Sequence, residues 1–209
     1  MENNTHATKL PKKALGLIRR VKREFTNHII TQDFTIPEIT AKNGSIFANH
    51  DVYSTLSAGE KFMEIDLRHA YWRTAYLLGY ISKRVYTAFA NDKEMKLFRN
   101  IALACVIAVK YREYYRDGKL YFSITESCNQ YAIMYKNIRH YIWNMIGDIG
   151  RKYPKGVIGY RVDAVYVLPE YADRVKFYFR NRSYMYRSNE CEKLNEREYI
   201  MFGDEIKKL

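Results

Sequence analysis

The run Met63-Glu64-Ile65-Asp66-Leu67 most constrains what this chain can fold into. A short apolar segment closes on a carboxylate, Asp66, and passes at once into an aromatic-rich stretch with Tyr71 and Trp72. Burying an unpaired carboxylate costs several kcal/mol. Asp66 must therefore be solvated, paired or holding a metal. Lys61 to Leu67 reads as a strand ending at Asp66 or Leu67. His69 to Leu78 reads as a helix closed by Gly79.

The same signals divide the rest of the chain. Lys9 to Arg23 carries Lys9, Lys12, Lys13, Arg19, Arg20, Lys22 and Arg23 with no acid, and Leu15, Leu17, Ile18 and Val21 form a partial apolar stripe. This is a basic amphipathic helix starting near Pro11, read either as a solvated surface helix or as a nucleic-acid contact. Pro37 and Gly44 punctuate short strands and turns, with a hairpin near Asn43-Gly44. Asn91 to Tyr115 reads as one long helix with an apolar face from Leu97 through Ile101, Ala104, Cys105 and Ala108. Asn129 to Tyr153 reads as a second. Val157 to Val167 reads as a β-hairpin turning at Arg161-Val162, with Asp163 at its tip. Pro169 opens a helix over about 170–180, and Tyr184–Ser188 and Arg197–Gly203 close the chain as strands. The expected class is α+β, with helices packed on one face of an antiparallel sheet that contains a β-hairpin. Residues 1–60 are expected as a basic N-terminal segment and 61–209 as the sheet domain.

Composition narrows the function. The net charge of +12 favours a polyanionic partner. Twenty tyrosines fit stacking surfaces or a core of half-wet aromatics. No apolar run approaches the ~18 residues that a membrane span needs. After Met1 come Glu, Asn, Asn and Thr, so no secretory signal is expected. Cys105, Cys128 and Cys191 are far apart with no CxxC pair, which fits a reducing, cytoplasmic compartment. Phosphate-loop, dinucleotide, nucleophile-elbow and HExxH patterns are absent from the sequence.

Two acids stand out by context: Asp66 at a strand end and Asp163 at a hairpin tip. Two carboxylates on adjacent strand ends repel each other unless a cation sits between them. Magnesium suits such a pair, because it takes hard oxygen ligands and is commonly held by one or two carboxylates plus substrate phosphates. The bland alternatives are a helix N-cap for Asp66 and an ordinary turn residue for Asp163.

"DLRHAYWRTAY" resembles the first palm motif of family B DNA polymerases, with Asp66 on its metal-binding aspartate and Tyr71 on its steric-gate tyrosine. "KLFRNIALA" resembles the second motif, with Lys96 and Asn100 in place. "YRVDAVYV" resembles the third, with Asp163 on its second aspartate. The three occur in the family's order, over about Lys61 to Arg187. Departures are Trp72 for the usual proline, Ile101 and Leu103 for serine and tyrosine, Ala104 for glycine, and Arg161 for the first aspartate of the third motif.

The resemblance implies a palm-like domain that acts as a template-linked nucleotidyltransferase by two-metal phosphoryl transfer. Asp66, Asp163 and the Leu67 carbonyl would hold two Mg²⁺. Tyr71 would bound the sugar pocket, and Lys96 with Asn100 would meet the phosphates of an incoming deoxynucleoside triphosphate. Lys12, Lys13, Arg19, Arg20, Lys22 and Arg23, joined by Arg174, Lys176 and Arg180, would track a DNA or RNA backbone. Such a reduced polymerase suits a phage, virus or mobile element and works with replication partner proteins. The rival is a non-catalytic nucleic-acid-binding or replication-accessory protein with a degenerate palm. A basic virion or scaffold protein without a site is a third reading.

Overall fold

The structure is a computed structural model, and it describes residues 12–31, 46–90, 95–106, 110–116, 119–126, 129–201 and 205–208. In chain order the elements are α1 (Lys12–Thr31), β1 (Ile46–Ala48), α2 (His50–Tyr53), β2 (Lys61–Leu67), α3 (Ala70–Leu77), α4 (Lys83–Ala90), α5 (Lys96–Val106), β3 (Lys110–Arg116), β4 (Lys119–Glu126), α6 (Asn129–Lys152), β5 (Val157–Arg161), β6 (Ala164–Val167), α7 (Pro169–Asn181), β7 (Tyr186–Lys193), β8 (Glu198–Met201) and β9 (Glu205–Lys208). The class is α+β, as expected. The chain divides into two compact units, each drawn from two stretches: residues 1–36 with 75–137, and residues 37–74 with 138–209.

The second unit holds a seven-stranded antiparallel sheet in the order β1-β5-β6-β2-β7-β8-β9. Its centre is β2, paired with β6 on one side and β7 on the other. The four strands β2, β5, β6 and β7, with helices between, make a split β-α-β connectivity, in which each crossover skips the strand lying between its ends. Side chains alternate along a strand, so Phe62, Glu64 and Asp66 share one face of β2 and Ile65 and Leu67 the other. Helix α7 packs against β2 and buries Ala172, Val175 and Phe179 at helical spacing. On the Phe62 face, Tyr53, Tyr166, Cys191 and Tyr199 gather around the Phe62 ring. Buried Lys193 closes that end. Its Nζ donates to the carbonyls of Tyr53 (3.1 Å) and Leu56 (2.8 Å) and pairs with Glu196 (2.7 Å), so the cation is fully used.

In the first unit α1 buries Ala14, Leu17, Val21 and Phe25; of the expected stripe, Leu17 and Val21 are buried, Ile18 is half-buried and Leu15 is exposed. It packs against α5. Glu24, the acid of this helix, accepts from the backbone N–H (3.1 Å) and hydroxyl (3.0 Å) of Ser82, at the start of α4. The Tyr80 ring meets Phe25 edge-on at 5.7 Å, and its hydroxyl accepts from Asn137 Nδ2 at 2.8 Å.

Three expectations need correction. Of the helix expected over 91–115, Lys96–Val106 is helical, Lys110–Arg116 is a strand paired with β4, and residues 91–94 and 107–109 lie outside the described residues. The sequence signal was Asp117-Gly118 between the Tyr-rich run 110–116 and the β-prone run 119–126, a hairpin pattern that outweighs helix propensity. The buried face of α5 is also rotated from the expected one. Met95, Arg99, Ala102 and Leu103 are buried, while Leu97 is 63% exposed. The Arg99 guanidinium enters the interior because it donates to the Phe89 carbonyl. Finally, the β5–β6 turn lies one residue later than expected. Arg161 pairs with Ala164, so Val162-Asp163 form the loop. Pro11 and the hairpin expected at Asn43-Gly44 lie outside the described residues.

Gly159 sets the approach of β1 to β5. A Cβ there would stand 2.5 Å from the Phe47 carbonyl oxygen, a backbone atom that cannot swing aside. Gly159→Ala is expected to lower unfolding free energy by about 1–3 kcal/mol. Urea denaturation would show this as a lower midpoint with an unchanged slope.

Candidate functional site

The register of the sheet builds the site. Across one face, Arg161 of β5 lies opposite Ala164 of β6, Ala164 opposite Asp66 of β2, and Asp66 opposite Arg187 of β7. The next row inward places Tyr166 opposite Glu64 and Glu64 opposite Asn189. These residues and the Val162-Asp163 loop line an open cleft of about 520 Å³, whose rim also carries Lys207 and Lys208 of β9.

Asp66 is paired, one of the outcomes its position demanded. Arg187 Nη2 lies 2.5 Å and Nε 3.2 Å from Asp66 Oδ2. The hydrogen bond and charge of Asp66, with Glu64 and Asp163 further off, raise the Arg187 guanidinium above its ordinary pKa. The Arg187 side chain is 51% exposed and that of Asp66 18%. Screening by water at the half-exposed guanidinium limits the pair's contribution to about 0.2–1 kcal/mol.

Glu64 is a different kind of carboxylate. It is buried, and it accepts from the Tyr166 hydroxyl (3.2 Å) and from Asn189 Nδ2 (2.7 Å). Two directed donors satisfy a charge that would otherwise be costly to bury. Burial raises the pKa of the Tyr166 hydroxyl, with Tyr199 and Glu64 adding to it, so it remains a donor. Burial also pushes the Cys191 thiol up to about 12, which leaves it unreactive.

Asp163 is fixed through its backbone, its carbonyl accepting from the Leu67 N–H at 3.0 Å. The residue before it is strained. Val162 has φ 58°, a left-handed conformation that a β-branched side chain rarely adopts. Glycine is usual at the first position of such a two-residue loop. The arrangement aims the Asp163 segment at the cleft at a conformational cost of about 1–3 kcal/mol.

The other expected site residues are placed as follows. Tyr71 is half-buried on the first turn of α3 and is not among the residues lining the cleft, while Trp72 beside it is buried. Leu67 is buried, with its backbone in the β2–β7 ladder. Lys96 and Asn100 are exposed and one turn apart on α5, and Lys12, Lys13, Arg19, Arg20, Lys22 and Arg23 are all exposed on α1. These eight belong to the first unit, and the cleft belongs to the second. Sequence reasoning missed Glu64, Tyr166, Arg187, Asn189 and Lys207. The signal for Glu64 was present, because its position two before Asp66 on a strand puts both on one face.

The donor set can be tested against a metal. Among the described residues no three His, Cys, Asp or Glu side chains converge. Asp66 and Asp163 supply hard carboxylate oxygens at one open cleft. They fit magnesium, which completes its shell with water and substrate phosphates. Also among the described residues, no helix is long and apolar enough to cross a membrane. No protein-family model, curated protein or solved structure matches this chain.

Val162→Gly is expected to raise stability. Strain relief of about 1–3 kcal/mol outweighs the ~0.5–1 kcal/mol entropy cost of a glycine. The denaturation midpoint should rise, and a fall would show that the left-handed conformation at 162 costs less than the entropy of a glycine there.

Proposed function

We propose that this chain is a minimal palm-type nucleotidyltransferase, similar to the catalytic core of family B DNA polymerases, that extends a nucleic-acid primer on a template. One observation carries the reading. Asp66 and Asp163, from distant parts of the chain, line a single cleft because Asp66 pairs in register with Ala164. Two strand-end carboxylates at one open cleft suit divalent-metal phosphoryl transfer. Asp66, Asp163 and the Leu67 carbonyl would hold Mg²⁺, which supplies charge neutralisation at the phosphates and a lowered pKa for the attacking hydroxyl. The chain's own residues bind and orient. The resemblance would put Tyr71 at the sugar and Lys96 with Asn100 at the nucleotide phosphates, but Tyr71 does not line the cleft and Lys96 and Asn100 belong to the first unit, so these three receive no role in it. The exposed α1 cations would hold the DNA or RNA backbone by counterion release. The setting we infer is the cytoplasm, with a phage or mobile element as source and replication proteins as partners.

A specific observation favours the second reading, a non-catalytic nucleic-acid-binding or replication-accessory protein. Arg187 neutralises Asp66, and Arg161 stands where the resemblance expects a further carboxylate. Primer extension separates the two. With Mg²⁺ or Mn²⁺, a labelled primer–template and deoxynucleotides, the wild type should extend. Asp66→Asn and Asp163→Asn should each lose at least about 10²–10³-fold in rate while still binding the duplex. Absence of extension by the wild type, with duplex binding indifferent to metal and nucleotide, would establish the accessory reading.

A further inference from the structure

We propose that Arg187 is the phosphate-binding residue of the cleft, resting on Asp66 in the nucleotide-free protein and transferring to phosphate oxygens when a metal-bound nucleoside triphosphate enters. The proposal rests on the nucleotidyltransferase reading above and deepens it, since that reading gave Arg187 no role.

Four features of the cleft support it. First, Arg187 is positioned by its backbone. It sits directly opposite Asp66 in the β2–β7 ladder, so only its half-exposed side chain needs to move. Second, its grip on Asp66 is incomplete. Nε and Nη2 both reach Oδ2 rather than spanning the two carboxylate oxygens as a matched fork does. A phosphate offers the guanidinium the planar two-point match it lacks here. Third, Glu64 is already committed to Tyr166 and Asn189, so it does not compete for the released guanidinium.

Fourth, the charges around the cleft do not suit a bare cation. Glu64, Asp66 and Asp163 share it with Arg161, Arg187, Lys207 and Lys208. Arg187, paired with Asp66 and lining the cleft beside Glu64 and Asp163, stands where a divalent ion would be drawn. A bare ion must therefore displace a cation without offering it anything. A metal carried on a triphosphate brings the guanidinium a new partner as it takes the carboxylate. Metal and nucleotide should consequently bind with positive coupling, each tightening the other by the same factor.

The test measures binding without primer, so no turnover is involved. Free Mn²⁺ is followed by its electron paramagnetic resonance signal for the bare-metal affinity. Deoxyadenosine triphosphate is titrated calorimetrically with and without Mn²⁺. The wild type should bind bare Mn²⁺ weakly and bind the nucleotide much more tightly when Mn²⁺ is present. Arg187→Gln should bind bare Mn²⁺ about tenfold more tightly, bind the nucleotide about tenfold more weakly, and lose most of the coupling. Arg187→Lys keeps the charge without the fork. It should retain near-wild-type Mn²⁺ affinity yet bind the nucleotide less well. Because the side chain is half exposed, both variants should melt close to the wild type.

Bare-metal affinity unchanged or weakened in Arg187→Gln overturns the proposal. The underlying reading is checked separately by Asp66→Asn and Asp163→Asn. If they abolish Mn²⁺ binding while Arg187→Gln changes nothing, the metal site stands and the role of Arg187 falls. If they bind Mn²⁺ like the wild type, the metal-site reading falls and the proposal with it.

Discussion

The pairing of β2 with two antiparallel neighbours is the constraint on which the sheet unit depends. A strand with a partner on each side cannot slip, because a one-residue shift would exchange its faces. The shift would expose Ile65 and Leu67 and bury Asp66 without Arg187. Packing and electrostatics thus select the same register. The apolar alternate face sits under α7, and the polar alternate face supplies Glu64 and Asp66. The β6 pairing then delivers the Val162-Asp163 loop to the end of β2, and the β7 pairing delivers Arg187.

The same face changes character along its length. Around Phe62 it is aromatic, closed and sealed by the committed cation Lys193. Two rows away it is open and charged. Between them Glu64 is buried and accepts from Tyr166 and Asn189, so it anchors the transition. The outer row holds the Asp66–Arg187 pair with its guanidinium half exposed, and beside it Val162 stores conformational strain. The inner row is satisfied and the outer row is open, which is what the proposed charged-ligand site requires.

What the sequence revealed follows from how local each signal was. β2, the helix closed by Gly79, α6, the β5–β6 hairpin and α7 each carry their own period and punctuation, and each was legible. The strand β3 was not, because Ile107, Ala108 and Val109 continue an apolar helical run into a segment whose partner lies beyond Asp117-Gly118. Buried Arg99 was also hidden, since only a tertiary acceptor, the Phe89 carbonyl, makes its burial tolerable. In the cleft, Asp66 and Asp163 were visible as carboxylates at a strand end and a hairpin tip. Arg187 was not, because a cation becomes part of a site through strand register, and register between β2 and β7 is a long-range property of the sheet. The alternation of the two compact units along the chain is long-range in the same way.

The account's central claim is that Asp66 and Asp163 form one ligand-binding centre on the sheet face. Crystals grown with Mn²⁺ and a non-hydrolysable deoxynucleoside triphosphate test it most directly, through anomalous scattering at the manganese edge. The account predicts an anomalous peak coordinated by the Asp66 and Asp163 carboxylates, with triphosphate oxygens beside it. Manganese bound elsewhere, or a cleft in which neither carboxylate contacts metal or nucleotide, would contradict it.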